Sequence, residues 1–451
     1  MRINDKKWIF FIIVLLFVLI FSVVKLKQYY YPELNSDSVN LFILGNHHVS
    51  KNENVFYSII GLNAPKEVID IHSYGVELIQ LSVDKYIDDD MKHLKGDVDL
   101  PHNPNSINLN VDTGKLVCWL GKASGKAVDN CYTPDELTKV VENNQLLLER
   151  FEQLLSYDKY ISKFPFNQNG KLLMNVYKLY VANARNKLLT DSDNAVKSLV
   201  DGLRFSRKML SQTQTWIEKA IWLVNYGLSL SQLEYVLINH TDIAIKYKTK
   251  LYAELVDLSI DELNTAGVYQ AEFEMLNYLL CIDMHLGIET DSYCDKETEL
   301  DRLSASFIMN DYYMRYKTNQ RMLSLDYERL VEHCEVAGEY SGFNMNVDLL
   351  LHFPILVEYS TYNLFVAGMV KGCRMVENFR IKGARLRLLK MFLDIKANGI
   401  DENNIKLFLE NHVLKDVISG NSFIYDEGNK LLMFPPESPD LVKKRYPGMK
   451  L

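Results

Sequence analysis

Residues 133–155 read TPDELTKVVENNQLLLERFEQLL and contain the clearest helix start in the chain. Thr133 provides an N-cap hydroxyl, Pro134 suits the first helical turn, and Glu136 completes a capping box. The apolar residues that follow recur at helical spacing, which predicts one buried stripe on a single helix. The stripe consists of Leu137, Val140, Val141, Leu147, Leu148, Phe151, Leu154 and Leu155.

The same periodicity continues towards the C-terminus and predicts further helices. A second stripe holds Leu173, Val176, Tyr180, Ala184 and Leu188, and a third, after the turn LTDSDN, holds Val196, Leu199, Leu203, Ser206 and Leu210. A fourth holds Ile217, Ala220, Ile221, Val224 and Leu228. Helices joined by short polar turns are typical of stacked helical hairpins. Residues 170–290 therefore resemble tetratricopeptide-type arrays in architecture, although that family's signature residues do not recur.

The segment before this helical run is mixed. Residues 32–132 include a stretch rich in turn formers at 94–115, and short apolar runs at Val39–Leu44 and Val76–Leu81. Loops with one or two helices are therefore expected in this part.

Helical periodicity resumes at residues 300–333 and again at 348–397, with a loop at 335–346 between them. The pair Asn398–Gly399 provides a C-cap that ends the last of these helices. A short helix is predicted at Asn403–Leu409. A β-hairpin is predicted around the turn DEGNK, flanked by Phe423, Tyr425, Leu431 and Met433.

These patterns predict a mostly α fold with four parts. Residues 1–31 form a cytoplasmic tail and transmembrane anchor, 32–132 a mixed loop-rich region, 133–398 a helical array, and 399–451 a short helix with a β-hairpin and tail. The expected architecture is an N-terminal transmembrane helix followed by stacked antiparallel helices, in a helical-repeat-like array, with a small C-terminal β-hairpin.

The segment WIFFIIVLLFVLIFSVV, residues 8–24, is apolar apart from Ser22. As a helix it would cover roughly 26 Å, close to the thickness of a bilayer core. Three tyrosines at 29–31 suit the headgroup layer, and Pro32 ends the helix. The first alanine of the chain is Ala64, so no Ala-x-Ala-like cleavage site follows the segment. An uncleaved signal anchor is therefore predicted.

Basic residues on either side of the span set its orientation. Arg2, Lys6 and Lys7 precede it, whereas Lys25 and Lys27 follow it. The positive-inside rule then predicts a cytoplasmic N-terminus. The expected location is the bacterial inner membrane, single-pass, with the bulk of the chain in the periplasm.

The chain has 50 Lys and Arg residues and 58 Asp and Glu residues, a formal net charge of −8. Beyond residue 31 it has 45 basic and 57 acidic residues, a net charge of −12. No nucleic acid is therefore expected as a partner. No Gly-x-Ser-x-Gly elbow, phosphate-binding glycine-rich loop, His-Glu-x-x-His or dinucleotide fingerprint occurs. This argues against the commonest hydrolase, nucleotide-dependent and zinc-peptidase classes, and no cofactor is expected.

The six cysteines fall into three pairs along the chain: Cys118 with Cys131, Cys281 with Cys294, and Cys334 with Cys373. An even number suits disulfides in an oxidising compartment, and the first pair is the favoured bridge, followed by the second. Buried free thiols are the alternative, above all for the third pair. Cys281 and His285 are four residues apart, but no second pair completes a tetrahedral site, so no metal is expected.

One predicted helix of this acidic chain is basic. Its cationic residues are Lys371, Arg374, Arg380, Lys382, Arg385, Arg387 and Lys390. They are candidates for contact with anionic lipid or cell-wall phosphate. The alternative is an amphipathic helix whose exposed cations pair with neighbouring acids, since apolar residues such as Leu386 and Leu389 share the helix.

After a short leucine-containing helix, the C-terminal region has a recognisable pattern: Asp416, Ser419, Gly420, Phe423 and Tyr425. In this pattern the chain resembles a C-terminal module of type II secretion major pseudopilins and of many membrane-anchored bacterial envelope proteins. That module has prolines where this chain has Val417 and Ser422. A pseudopilin would also have a glutamate in its N-terminal helix, whereas residues 8–24 contain no acid.

A second resemblance lies nearer the N-terminus. The segment NVFYSIIGLNAPKEVIDIHSYG, residues 54–75, with Cys118, Cys131 and the long helix after them, resembles uncharacterised membrane-anchored proteobacterial envelope proteins. This resemblance implies a location in the cell envelope and brings no activity with it.

The sequence therefore predicts a membrane-anchored periplasmic helical scaffold that binds another envelope protein or a cell-wall component through a concave face. The alternatives are a periplasmic envelope enzyme of the hydrolase type, and a periplasmic immunity or inhibitor protein. An enzyme should show a deep pocket with convergent carboxylates or histidines of perturbed acidity. A scaffold should show a broad groove lined by exposed aromatic residues.

Overall fold

The computed structural model describes residues 50–88, 103–121, 131–161, 170–263, 266–268, 329–331 and 354–451. Apart from Val268, these residues belong to one compact unit formed by residues 49–267 and 319–451. The described chain is mostly helical and has a small antiparallel sheet, which confirms the predicted fold class at this level. The predicted anchor at residues 8–24 lies outside the described residues. Within the described ranges, no helix is both long and apolar enough to cross a bilayer.

Before residue 133 the described chain has a 3-10 turn and three α-helices: Lys51–Glu53, α1 (Val55–Ile60), α2 (Ile71–Asp88) and α3 (Thr113–Gly121). The prediction of one or two helices in this part is too low, and the apolar run Val76–Leu81 lies inside α2. α1 has six residues and α3 has nine. Helices this short depend on tertiary packing, which periodicity does not detect.

The central helices are α4 (Pro134–Asn143), α5 (Gln145–Leu154), α6 (Gly170–Asn186), α7 (Ser192–Gln212), α8 (Trp216–Asn239), α9 (Thr241–Lys246) and α10 (Lys248–Glu254), followed by a 3-10 turn at Ile260–Leu263. The C-terminal elements are α11 (Pro354–Ala397), a 3-10 turn (Glu402–Asn404), α12 (Ile405–Asn411), β1 (Ile424–Asp426), β2 (Leu431–Met433), α13 (Asp440–Arg445) and β3 (Met449–Lys450).

The predicted capping box is confirmed at the start of α4. The Glu136 amide donates to the Thr133 hydroxyl at 3.2 Å, and the Thr133 amide donates to Glu136 Oε2 at 2.8 Å. The single helix predicted for residues 133–155 is wrong, because Asn144 divides it into α4 and α5. The buried Asn144 side chain exchanges two hydrogen bonds of 2.9 Å with the backbone of Asn110. This long-range pairing competes with a continuous helix.

The core lies among α6, α7 and α8. The buried hydroxyl of Tyr177 in α6 donates to the Gly202 carbonyl of α7 at 3.1 Å and shares a hydrogen bond with the Ser229 hydroxyl of α8. Burial raises the pKa of Tyr177 to about 12. Beside it, the rings of Phe205 and Trp222 pack edge to face with centres 5.3 Å apart. One phenol therefore joins three helices at the centre of the core.

The second and third predicted stripes are confirmed as buried faces of α6 and α7. The fourth, on α8, has the wrong orientation, since Ala220 is exposed and Val224 is 60% exposed. α8 turns another face to the core, and that face includes the buried polar residues Lys219 and Gln232. Periodicity misses it because these polar groups bond within the fold: the Lys219 ammonium donates to the Leu210 carbonyl at 2.7 Å.

The predicted end of α11 is confirmed. The helix ends at Ala397, and Gly399 has a left-handed backbone with φ of +58°. The Ile400 amide donates to the Ile395 carbonyl at 3.1 Å, which satisfies one of the last helical carbonyls. The C-terminal half of α11 is mostly buried, and α11 packs against α8.

The predicted β-hairpin is confirmed, with one strand more than expected. β1 pairs antiparallel with β2, and Tyr425 lies opposite Leu432. β3 pairs with the other edge of β2, where Met449 lies opposite Leu432. The sequence predicts only a tail here, because a strand of two residues is too short to show alternation.

Two glycines allow α1 and α2 to pack in close contact. A Cβ at Gly61 would collide with the Ile71 carbonyl, and a Cβ at Gly75 would collide with the Tyr57 carbonyl. Because the obstacle is backbone, no change of rotamer relieves the collision, and any side chain here would force the two helices apart.

We expect Gly75→Ala to lower the free energy of unfolding by about 1–3 kcal/mol through overpacking. Gly383→Ala in α11 is the matched control, because its Cβ would meet only the Val417 side chain at 3.9 Å. The control should be neutral, or more stable by about 0.5–1 kcal/mol. Urea unfolding of the full-length protein, followed by circular dichroism, compares them. Equal effects of the two substitutions would contradict the close packing.

A buried arginine holds the loop between α1 and α2. Arg150 of α5 is 2% exposed and forms no salt bridge with a described residue. Burial lowers the pKa of Arg150. Its guanidinium donates to four backbone carbonyls: Leu62 at 3.2 Å, Ala64 at 2.6 Å, Pro65 at 2.8 Å and Val68 at 2.8 Å. The loop is therefore closed around the charge.

Arg150→Met should lower the free energy of unfolding by about 3 kcal/mol or more, since each buried acceptor left without a donor costs about 1–3 kcal/mol. Glu149→Gln, at the exposed neighbouring position, should change it by less than about 0.5 kcal/mol. Chemical unfolding of the full-length variants measures both values. If Arg150→Met is as stable as the wild type, the loop does not depend on this contact.

Candidate binding groove

A polar groove of about 750 Å³ runs along α7, between α6 and the C-terminal end of α5. α7 lines it from the N-cap Asp191 to Lys208, a distance of roughly 25 Å at helical rise. Its charged lining residues are Glu152, Asp158, Asp191, Asp201, Lys187, Lys197, Arg204 and Lys208. Carboxylates and cations are equal in number, so the lining is polar and balanced in charge.

Small residues and a tight turn shape the groove. Ala184 and Ala195 are buried at its base, where α6 and α7 pack together. The Asp191 amide donates to the Lys187 carbonyl at 2.8 Å in the turn between the helices. The Asp191 carboxylate accepts from the Asn194 side chain at 2.8 Å and from the Asn194 amide at 3.3 Å, and these bonds lower the pKa of Asp191. Asp191 therefore caps α7 as a carboxylate.

Two of the groove's cations are already bound by the protein. The Arg204 guanidinium pairs with Glu254 of α10 and lies 3.8 Å from the Asp201 carboxylate. The Lys208 ammonium donates to the Tyr157 carbonyl just beyond α5, and burial lowers the pKa of Lys208. These contacts brace the groove at the end near α5.

Four further charged residues line the groove. Lys187 and Lys197, near the start of α7, form no salt bridge with a described residue, and the same is true of Glu152 and Asp158 near the end of α5. The Asp158 charge acts on Lys208 and the Lys187 charge acts on Asp191, so cations and carboxylates lie together in the groove.

The groove also has neutral hydrogen-bonding groups. The Tyr180 hydroxyl bonds with Ser198, and burial raises the pKa of Tyr180, so the phenol stays protonated. Asn183 lines the same stretch. Hydroxyl and amide groups both donate and accept, which suits the peptide groups of an extended chain.

Exposed aromatic residues, expected of a scaffold groove, do not line this one. Tyr180 and Phe205 are 4% and 2% exposed, so their rings belong to the base of the groove. That expectation is wrong for this groove, because the aromatic side chains of α6 and α7 are used in the core. Recognition here depends on charge and hydrogen bonding.

The structure joins Cys118 and Cys131 by a disulfide, with their Cα atoms 5.0 Å apart. This is the bridge that the sequence favours, and it links α3 to the segment before α4. The other two predicted bridges each involve a cysteine outside the described residues. Cys281, Cys294 and Cys334 lie outside them, whereas Cys373 is in α11. Their pairings stay predictions.

The basic residues described in α11 make separate contacts. Arg385 pairs with Glu234 of α8, and Arg387 pairs with Asp257 at 2.6 Å. The Lys390 ammonium lies 4.2 Å from the centre of the Tyr252 ring. The other members of the predicted basic run in this helix are Lys371, Arg374, Arg380 and Lys382.

One serine and one histidine approach each other as a catalytic pair would. Ser58 Oγ lies 2.9 Å from Nδ1 of His72, and the Tyr157 hydroxyl lies 3.2 Å from the same nitrogen. Ser58 is fully buried. In the part of the chain that the structure describes, no group of three or more histidine, cysteine or acidic residues is placed to hold a metal ion.

Comparison with known proteins gives no relative on which to base a function. No protein-family model, curated protein or solved structure matches the chain. The groove's own chemistry is therefore the basis of the functional argument.

The groove residues are not among the candidates that the sequence provides. The signal that could have found them is a polar stripe at helical spacing on α7: Asp191, Asn194, Ser198, Asp201, Arg204 and Lys208. Such a stripe is the ordinary solvated face of an amphipathic helix. Only the positions of α5 and α6 turn it into the wall of a groove.

We expect the Cys118–Cys131 bridge in protein isolated from cells without reductant. Peptide mapping after thiol alkylation should recover the two cysteines in one linked fragment, and reduction should separate them. Replacing both with serine should lower the free energy of unfolding by about 3 kcal/mol, because the closed loop restricts the unfolded chain. Alkylated free thiols at both positions would contradict this bridge.

Proposed function

We propose that this protein is a membrane-anchored scaffold of the bacterial cell envelope whose groove along α7 binds an extended segment of another envelope polypeptide. Charges of both signs carry the proposal, since Lys187, Lys197, Glu152 and Asp158 line the groove and form no salt bridge with a described residue. An extended peptide that carries charges of both signs can pair with these groups and bond its backbone to the neutral groups of the groove.

Charge favours a polypeptide over a nucleic acid as the ligand. The groove has equal numbers of carboxylates and cations, and the whole chain has a net charge of −8. A nucleic-acid site needs an excess of cations to replace the counter-ions of the phosphates. A ligand that carries charges of both signs matches this lining better.

The packing order supports a helical-repeat-like array. α7 packs against both α6 and α8, α6 also contacts α8, and α8 packs against α11. In stacked helical hairpins, each helix contacts its partner within the hairpin and a helix of the next hairpin. Arrays of this kind offer the surfaces between their helices to partners.

Sequence features support the envelope location. The apolar segment at residues 8–24 and the basic residues before it favour an inner-membrane anchor with a cytoplasmic N-terminus and a periplasmic bulk. The Cys118–Cys131 bridge is in keeping with the oxidising side of that membrane.

Local packing supports the proposed kinship with membrane-anchored envelope proteins. The buried Asp416 carboxylate accepts from the Ser419 hydroxyl at 2.7 Å and from the Ser438 hydroxyl at 2.8 Å. Gly420 has φ of +74°, and its amide donates to the Asp416 carbonyl at 2.9 Å. Residues that carry the resemblance therefore form one hydrogen-bonded turn, which directs the chain into the hairpin.

Photocrosslinking in cells tests the groove proposal. A benzophenone amino acid replaces Lys187 or Lys197 in the full-length protein, and the matched control replaces Lys139, which is exposed on α4 and outside the groove. We expect a crosslinked polypeptide at the two groove positions and not at the control. Lys197→Glu should lower the crosslink yield at position 187 by about fivefold, equivalent to the loss of roughly 1 kcal/mol from one ion pair.

Lys139→Glu is the charge control and should leave the yield at position 187 unchanged. Equal yields at all three positions would refute the groove as a binding site. Crosslinks that appear only in the insoluble cell-wall fraction, without a polypeptide, would retain the groove but replace the proposed ligand class.

A further inference from the structure

A group of cations lies where α11 meets the C-terminal segment. Lys382 and Arg385 are on α11, and Arg445 is the last residue of α13. The charges of both arginines act on Lys382. α8 faces this group with Gly227 and Glu234. Lys382, Arg385 and Arg445 together are named the cation cluster.

Arg385 is only partly satisfied in the cation cluster. It is 8% exposed and pairs with Glu234. Its Nη1 donates to the Gly227 carbonyl at 3.4 Å, a long hydrogen bond, and its buried Nε has no hydrogen-bond partner. The Nε donor of this buried guanidinium therefore lacks an acceptor.

Lys382 is half-buried beside Arg385. Its ammonium lies against Gly227, in the space that a Cβ at that residue would fill. No described residue accepts a hydrogen bond from it. Among the described residues, Glu234 is the one carboxylate that pairs with the cluster. Among the described residues, three cations therefore share a single carboxylate.

This arrangement is electrostatically unfavourable as it stands. Burial, and then the charges of Arg385 and Arg445, lower the pKa of Lys382 to about 8. Cations held close together in a partly buried site destabilise a fold unless a counter-charge compensates them. An anion that accepted from the Lys382 ammonium would supply that compensation.

The cluster is open to solvent on one side. Arg445 is exposed, and its Nη1 donates to the Asn378 side chain at 2.7 Å. The Tyr446 ring covers another side, since its centre lies 4.6 Å from the guanidinium carbon of Arg385.

We propose that the cation cluster is an oxyanion site that binds a phosphate group. Phosphate offers several acceptor oxygens and a negative charge that offsets the excess positive charge, and guanidinium and ammonium groups can donate to it together. A free phosphate ion and the phosphate of a lipid headgroup supply the same chemistry. The proposal is independent of the groove and its ligand.

The first test is the unfolding temperature of the full-length protein in non-ionic detergent, with inorganic phosphate or chloride at equal ionic strength. Phosphate should give a saturable rise, because a ligand of the folded state stabilises it. Lys382→Met should raise the midpoint without phosphate and abolish the phosphate-dependent rise. A lysine with a purely structural role would lower the midpoint when removed.

Arg445→Gln provides a second variant that the fold should tolerate, since Arg445 is exposed. It should raise the half-saturating phosphate concentration by about tenfold, the usual scale for one charge-assisted contact. Lys444→Gln, at the exposed neighbouring position, is the matched control and should not change that concentration. An equal loss of response in the control would contradict the assignment.

Amine acylation followed by mass spectrometry needs no variant. Phosphate should protect Lys382 from modification by about fivefold or more and leave Lys444 unprotected. Protein in nanodiscs of phosphatidylglycerol, compared with phosphatidylcholine, separates the two sources. Protection by free phosphate assigns a soluble anion, and protection by phosphatidylglycerol alone assigns an anionic headgroup. Protection by neither overturns the proposal.

Discussion

A guanidinium buried among backbone carbonyls is the contact on which the arrangement of the N-terminal helices depends. Arg150 extends from α5 into the loop between α1 and α2, where the carbonyls between Leu62 and Val68 turn towards it. Carbonyl dipoles solvate the charge in place of water, so opening the loop would leave the cation and its acceptors unpaired. The contact holds α1 and α2 against α5, and α5 in turn forms one end of the groove.

The same use of basic and amide side chains recurs at other helix ends. Arg185 donates to the Trp119 carbonyl at 2.9 Å, and Gln232 donates to the Leu120 carbonyl at 3.0 Å. Both carbonyls belong to the last turn of α3, where no helical amide remains to bond them. Lys219 likewise donates to Leu210 in α7, and burial lowers the pKa of Lys219 to about 7. A fold with many short helices has many unpaired carbonyls at helix ends, and buried polar side chains donate hydrogen bonds to them.

The sequence predicts the features that depend on nearby residues and misses those that depend on distant ones. The capping box at Thr133 and the left-handed Gly399 are local, since the chemistry lies within a few residues of the helix end. The break at Asn144 depends on Asn110, which lies far away in the sequence. The buried face of α8 depends on carbonyls supplied by α3 and α7, so its polar residues resemble solvated ones in a periodicity plot. Long-range hydrogen bonds therefore separate the predicted fold from the observed one.

The candidate sites follow the same division. The short spacing of Cys118 and Cys131 indicates their bridge, because two cysteines close in the sequence form a short loop and readily approach within bonding distance. The groove requires three helices, and its polar stripe is ordinary until α5 and α6 flank it.

The basic residues of α11 form a single pattern in the sequence, but in the structure they make separate, unrelated contacts. Arg387 is neutralised by Asp257, whereas no described residue accepts a hydrogen bond from Lys382. Positive charge therefore exceeds negative charge in the cation cluster, as far as the described residues show. The lining of the groove has equal numbers of cations and carboxylates. Because the two proposed sites differ in their electrostatics, we expect them to bind ligands of different chemistry.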